Sequence, residues 1–278
     1  MKVCVLGGGV MGSSIASLLL KAQFVESVNW FLRTPEAFDS HYLKVKKELR
    51  RICKGSGVSL EEALCKLKPC YNVIDLRDSE LFIEAITENT EHKVELISQV
   101  SEVALEGSVF ATNTSSLSIT DLSMRYCDPS KFIGMHFFNP ASMMDLVEVV
   151  KGLSTSDQTV NYIMSFAEQL GKEPVMVQES PGFIVNRMLI PMINEAITIL
   201  SEGIASKEDI DKAMKLGANH PLGPIALADL IGNDVCLSIM ETLHEETGDP
   251  KYRACPMLRQ YVRAGRLGRK CRLGFYSY

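Results

Sequence analysis

A chain of 278 residues, 46% hydrophobic and 23% charged, has ordinary globular composition and the length of roughly two domains at ~150 residues each. Its formal net charge of −5 and isoelectric point near 5.6 exclude a global attraction for nucleic acid or an anionic membrane, so an anionic ligand has to be held by a local basic cluster. Eight cysteines without a C-x-x-C pair read as free thiols in a reducing compartment, not as disulfides or metal ligands.

The opening MKVCVLGGGVMGSSIASLLLKA has the positive start and apolar run of a secretory signal, but glycines break the run at its centre. No stretch approaches the ~18 uninterrupted apolar residues of a membrane span. The chain therefore reads as soluble and cytoplasmic, with neither membrane nor nucleic acid as partner.

Val3–Leu6 is a short apolar run entering Gly7, and after Gly12 the residues Ile15, Leu18 and Leu19 take helical spacing, which predicts strand, glycine turn and helix. SVNWFL from Ser27 is the returning strand of that βαβ unit. A charged helix from Tyr42, a Gly-Ser-Gly break at 55–57 and a second helix capped by Ser59 follow. Strand-like runs at Leu81–Ala85, Ser108–Thr112 and Phe132–Met135, with a helix over Thr90–Val103, continue the alternation. Such a pattern argues an α/β fold, a doubly wound, mostly parallel sheet of Rossmann type. DLVEVV, ending at Val150, is a further strand placed to pair with the one ending at Met135. A helix over Ser156–Leu170 and a last strand PVMVQ lead to Pro181-Gly182, where the chain is punctuated. Beyond it the patterns are helical: Ile184–Glu202, Lys207–Leu216, Pro224–Thr247 and Pro256–Ala264. The expected organisation is a dinucleotide-binding domain over 1–182 and an all-helical substrate and dimerisation domain over 183–278.

Gly7-Gly8-Gly9-Val10-Met11-Gly12 fits G-x-G-x-x-G. Because it follows a strand and opens a helix, Gly7, Gly9, Val10, Met11 and Gly12 would turn backbone N–H groups and the helix dipole onto a pyrophosphate. NAD-preferring domains of this kind place an acid about 20 residues after the turn, at the end of the second strand, to accept from the ribose 2′-OH. Here NWFLRTPE puts Leu32, Arg33 and Thr34 there, an arginine and a hydroxyl suited to a 2′-phosphate, so NADP is expected over NAD. The alternative is that the segment before Trp30 shifts the register and Glu36 reaches the ribose.

KFIGMHFFNPASMMDLVEVV, Lys131 to Val150, is apolar enough to be core yet holds His136, Asn139 and Glu148, each of which a core has to satisfy. Strand pairing could set Glu148 against His136. A carboxylate bonded to one ring nitrogen fixes an imidazole's tautomer and leaves the other nitrogen as the base. The hydroxyl-rich ATNTSSLSIT after an apolar strand reads as a helix N-cap by Ser115 or Ser116, with other hydroxyls facing the crevice at the strand ends. Asn186, in PGFIVNRMLIPMINEAI, either caps or packs locally or turns its amide to a crevice between the two expected domains.

These segments, together with DIDKAMKLGANHPLGPIALADLIG and the terminal GFY, closely resemble the L-3-hydroxyacyl-CoA dehydrogenase family over essentially the whole chain. The His-Phe-Phe-Asn-Pro segment is far more specific than the glycine motif, and the likeness is greatest to short bacterial members acting on 3-hydroxybutyryl-CoA. The resemblance implies reversible hydride transfer between a nicotinamide cofactor and carbon 3 of a short L-3-hydroxyacyl-CoA, as in butyrate or fatty-acid metabolism. It makes His136 the catalytic base, Glu148 the carboxylate that orients it, and Ser115 and Asn186 the residues that hold the substrate. Glu88, Lys93, Asn113 and Asn139 match positions lining the cofactor's ribose and nicotinamide. Lys44, Lys46, Lys47, Arg50, Arg51 and Lys54 form a basic helical arm matching one near the phosphates of coenzyme A, with Arg51 and Lys54 best placed. A homodimer is expected, and nothing calls for a metal. Cys271 and Arg272 depart from the family, whose members commonly carry small residues and glycine there. Two other readings stay open: a dehydrogenase of free 3-hydroxy acids, against which the basic arm argues, and a non-catalytic cofactor-binding protein, against which the intact His136, Glu148, Ser115 and Asn186 argue.

Overall fold

The computed structural model describes residues 1–278, which form two compact units, Met1–Ser180 and Pro181–Tyr278. The first is built on β1 (Lys2–Leu6), α1 (Val10–Lys21), β2 (Ser27–Phe31), α2 (Phe38–Ile52), α3 (Leu60–Cys65), β3 (Leu67–Cys70), β4 (Leu81–Glu84), α4 (Thr90–Val103), β5 (Val109–Thr112), α5 (Ile119–Ser123), β6 (Phe132–Phe137), β7 (Leu146–Lys151), α6 (Asp157–Gln169) and β8 (Glu173–Gln178). The sheet order is β3-β2-β1-β4-β5-β6-β7-β8, parallel throughout except where β7 runs antiparallel to β6. The expected doubly wound α/β sheet is therefore present. Central strands covered on both faces are mostly apolar, and β4, β5 and β6 are buried at every position, including the Glu84, Thr112 and His136 they carry towards their carboxyl ends.

Helix starts follow local chemistry. Ser59, Asn89, Ser118 and Ser156 each accept a backbone N–H of the helix they precede, satisfying donors that the first turn leaves unpaired. Three expectations are corrected here. The cap before α5 is Ser118 and not Ser115 or Ser116, because both of those face Glu88 instead. The charged helix starts at Phe38, four residues before Tyr42, off a short 3-10 turn at Pro35–Ala37. Leu67 and Lys68, which close the second helical pattern, belong instead with Pro69 and Cys70 to β3, an edge strand whose ladder to β2 overrides their helical context.

The second unit is helical: α7 (Val185–Ser201), α8 (Lys207–Gly217), α9 (Pro224–Ile231), α10 (Asn233–Thr247) and α11 (Pro256–Arg263) surround Ile190, Ile193, Ile197, Ile225, Met240 and Leu243. The single helix expected over Pro224–Thr247 is two, because Gly232 at φ 112 turns the chain between them. Buried Asp229 then fastens the C-terminus, accepting from the Phe275 N–H at 2.9 Å, the Tyr276 N–H at 2.8 Å and the Tyr278 hydroxyl at 3.2 Å. No helix is long and apolar enough to cross a membrane.

Candidate active site

The chain leaves β1 outward to β2 and β3, then returns on the other side at β4, so a crevice opens at the carboxyl ends of β1 and β4. Gly7, at φ 120, sits so close to β4 that a Cβ there would stand 2.7 Å from the Ala85 carbonyl oxygen, and one on Gly12 would run into the Gly7 carbonyl. That carbonyl is held by the indole N–H of buried Trp30 at 2.9 Å. Gly9 faces open space, and α1 begins after it without a side-chain cap, which leaves first-turn N–H groups for an anion.

Gly7, Gly9, Val10, Met11 and Arg33 line one crevice of about 650 Å³, the size of a cofactor site. A tight glycine turn, free helix N–H groups and this volume fit a dinucleotide. Thr34 stands outside the crevice wall, and its side chain bonds Glu36. Glu36 itself is exposed, and hydrogen bonds from its own backbone and from Thr34 hold its carboxyl below the usual range. Trp30 pairs with Val5 and Phe31 with Leu6, so Leu32 and Arg33 directly follow the strand.

His136 and Glu148 are directly opposite in the antiparallel β6–β7 pair, and His136 Nδ1 lies 2.8 Å from Glu148 Oε2. His136 is 6% exposed and Glu148 1%. Both belong to the carboxyl-end edge of the sheet because antiparallel β7 starts where β6 stops. Phe138 packs on the imidazole with ring centroids 4.7 Å apart.

Glu88 gathers the hydroxyl-rich loop after β5. One carboxylate oxygen accepts from Thr114 Oγ1 at 2.6 Å, the Ser115 N–H at 2.7 Å and the Ser115 hydroxyl at 3.1 Å. Burial pushes this carboxyl's pKa up, but the Lys93 ammonium and the loop's hydrogen bonds outweigh it and hold the pKa below the ordinary value. Lys93 is 1% exposed and reaches Glu84 at 2.6 and 2.8 Å and Glu88 at 3.2 Å. Asn113 accepts the Phe137 N–H at 2.8 Å, tying the loop to the strand that carries His136. Asn139 is exposed and joined to Pro140 by a cis peptide.

Lys44, Lys46, Lys47, Arg50 and Arg51 lie on α2, which does not stand off as an arm: buried Val45 and Leu49 pack it into the core of the unit. Arg51 is exposed, and its guanidinium donates to the Ser142 hydroxyl at 3.2 Å. Lys54 is exposed in the turn that follows α2. Asn186 belongs to the second unit, as the second residue of α7, so no helix-interior cost attaches to it.

Sequence reasoning missed three participants. Glu84, a carboxylate at the end of an otherwise apolar strand, was a signal in itself, since a buried charge needs a partner nearby. Trp30 gave none, because an aromatic residue in a strand reads as core. The third is Glu48, which accepts from the Ser14 hydroxyl at 2.6 Å and also bonds Ser142, linking α1, α2 and the loop after β6.

Two family models cover the chain: the 3-hydroxyacyl-CoA dehydrogenase NAD binding domain over residues 2–180 and the C-terminal domain of the same family over residues 182–278. A 3-hydroxybutyryl-CoA dehydrogenase of Clostridioides difficile is 47% identical over 100% of this chain and 99% of its own. A probable 3-hydroxybutyryl-CoA dehydrogenase of Bacillus subtilis is 44% identical over 100% of this chain and 97% of its own. Among solved structures, (S)-3-hydroxybutyryl-CoA dehydrogenase from Ralstonia eutropha superposes with a TM-score of 0.94 at 43% identity, covering 100% of this chain and 98% of that one.

Proposed function

The chain belongs to the 3-hydroxyacyl-CoA dehydrogenase family, oxidoreductases that use a nicotinamide cofactor, and from that premise we propose that it interconverts 3-hydroxybutyryl-CoA and acetoacetyl-CoA with His136 as the acid-base group. The observation that carries this reading is the buried 2.8 Å contact between His136 Nδ1 and Glu148 Oε2. The bound nicotinamide supplies the hydride acceptor in oxidation and the donor in reduction. In oxidation, Nε2 of His136 takes the proton of the substrate hydroxyl. In reduction it returns that proton to the oxygen on carbon 3. Glu148 holds the Nδ1 proton and balances the imidazolium, so both ring nitrogens keep defined roles through the cycle. Ser115, fixed through Glu88, and Asn186 are the substrate-holding residues, and Glu88, Lys93, Asn113 and Asn139 form the cofactor's ribose and nicotinamide surroundings. Arg51 and Lys54 take the phosphates of coenzyme A by charge-assisted hydrogen bonds.

For the cofactor, NADP(H) is the reading favoured by Arg33 on the crevice wall, with no acid at the end of β2 and Glu36 engaged elsewhere. A contact to charge worth roughly 1.5–3 kcal/mol corresponds to about 10- to 150-fold in affinity, enough to set the preference. A homodimer through the second unit is consistent with its exposed Met188, Ile204 and Leu216, and we place the enzyme in the cytoplasm. Acetoacetyl-CoA reduction, assayed with NADPH and NADH in turn on the wild type and on Arg33→Asp, tests the reading. No turnover with either cofactor removes the activity, whereas a higher kcat/KM with NADH in the wild type removes only the NADP(H) preference.

A further inference from the structure

Four buried side-chain polar atoms have no hydrogen-bond partner in the protein, and His41 Nδ1 is the one among them whose residue lines the cofactor crevice. His41 lies in the first turn of α2, where the 3-10 turn after β2 delivers it over the strand's end. Its ring stands against the glycine turn: a Cβ on Gly8 would meet Leu32 Cδ2 at 2.6 Å and His41 Cδ2 at 2.7 Å. Leu32 is 2% exposed and fills the place where a ribose-reading carboxylate is expected. His41 and Arg33 are thus both on the wall beside this point, and neither is a carboxylate.

We propose that His41 is a second specificity-determining residue of this crevice, its imidazolium binding the 2′-phosphate of NADP(H) beside Arg33. The inference rests on the NADP(H) preference proposed above. Rotation of the ring by ~180° about its broad terminal torsion exchanges Nδ1 with Cδ2, the atom packed against Gly8, and so turns the partnerless nitrogen towards the glycine turn that lines the crevice. Trp30, whose ring centroid is 6.2 Å from that of His41, keeps the imidazole on this wall while its own N–H holds the Gly7 carbonyl.

The charged groups around His41 are Lys44 on its own helix, Arg33 at the end of β2, and His92 and Glu95 of α4 on the same crevice wall. Burial first, and the Lys44 ammonium second, hold the His41 pKa below its ordinary value, which favours the neutral ring in the free protein. A 2′-phosphate dianion stabilises the protonated ring. Binding then takes up a proton from solvent, and affinity rises as pH falls from the bound-state pKa towards the free one. The phosphate's own protonation near pH ~6 closes the window below.

Calorimetric binding of NADPH and of NADH, each in buffers of different ionisation enthalpy between about pH 6 and 8, tests this on the wild type and on His41→Asn. Expected for NADPH is net proton uptake and tightening by up to about tenfold per pH unit, with NADH showing much less of either. His41→Asn should lose the extra uptake and weaken NADPH about tenfold, a larger change than for NADH. If His41→Asn keeps both the uptake and the NADPH affinity, the role of His41 is overturned while the NADP(H) preference stands on Arg33. A wild type that binds NADH more tightly at every pH overturns both. Should the variant fail to fold, equal proton uptake with NADPH and NADH in the wild type overturns the proposal by itself.

Discussion

Lys93→Met removes the cation that Glu84 and Glu88 share. Glu84 is fully buried, and its carboxylate accepts from Lys93 Nζ at 2.6 and 2.8 Å, from Thr112 Oγ1 at 2.6 Å and from the Ile86 N–H at 2.7 Å. Without the ammonium, two dipolar donors face a full buried charge. Breaking a buried pair from one side costs about 3–5 kcal/mol, a large share of the roughly 5–15 kcal/mol by which a domain is stable. Glu88, with its side chain 33% exposed, adds little because solvent screens it. In Glu84→Gln/Lys93→Met the amide oxygen can still accept from the Ile86 N–H while the amide NH2, in place of the second oxygen, donates to Thr112 Oγ1, and no charge remains, so stability should return to within about 1–2 kcal/mol of wild type. Urea unfolding followed by tryptophan fluorescence is the assay, because the chain's one tryptophan, Trp30, is buried in the first unit and reports that unit. A Lys93→Met midpoint indistinguishable from wild type, or a double variant no better than the single one, would refute the account of Glu84 as a charge held in place by Lys93.

His136→Gln should lower kcat by a factor on the order of 10²–10⁴ with cofactor affinity little changed, and Glu148→Gln should also lose rate; near-normal turnover of His136→Gln in the acetoacetyl-CoA assay would end the acid-base assignment. Alanine at Lys54 should raise the apparent KM for the CoA thioester more than it changes kcat, because a remote phosphate contact contributes uniform binding, and added salt should weaken the wild type in the same direction. Arg51→Ala should do likewise and, by releasing Ser142 in the loop after β6, also lower kcat; KM values unchanged in both variants would leave α2 a solvated face. Arg272 holds a left-handed backbone at φ 62, which costs a residue with a Cβ about 1–2 kcal/mol, whereas glycine there adds about 0.4–1 kcal/mol of unfolded-state entropy. Arg272→Gly should therefore raise stability by about 0.5–1 kcal/mol, and a fall in the thermal midpoint would contradict it.

Local pattern alone determined most of the first unit. Strand, glycine turn and helix at the N-terminus, α4 over Thr90–Val103, the Ser59 cap and the β6–β7 pairing that sets His136 against Glu148 were all legible, because apolar periodicity and capping residues act within a few positions of themselves. Chemistry-bearing residues inside apolar segments were legible too, since a buried His or Glu demands a partner. What only the tertiary structure decided are matters of packing at long sequence separation. LKPC became β3 because β2 offered it a ladder, and Ser115 and Ser116 turned from capping because Glu88 lay within reach across the crevice edge. Periodicity ran through Gly232, yet its positive φ ends one helix and begins another. Hydrogen bonds such as Trp30 to the Gly7 carbonyl and Ser14 to Glu48 join residues whose types carry no signal of the partner, so geometry had to supply them. The setting of His41 belongs to the same group: a histidine in the first turn of an exposed, charged helix reads as surface until the return of α2 over the end of β2 lays its ring against Gly8.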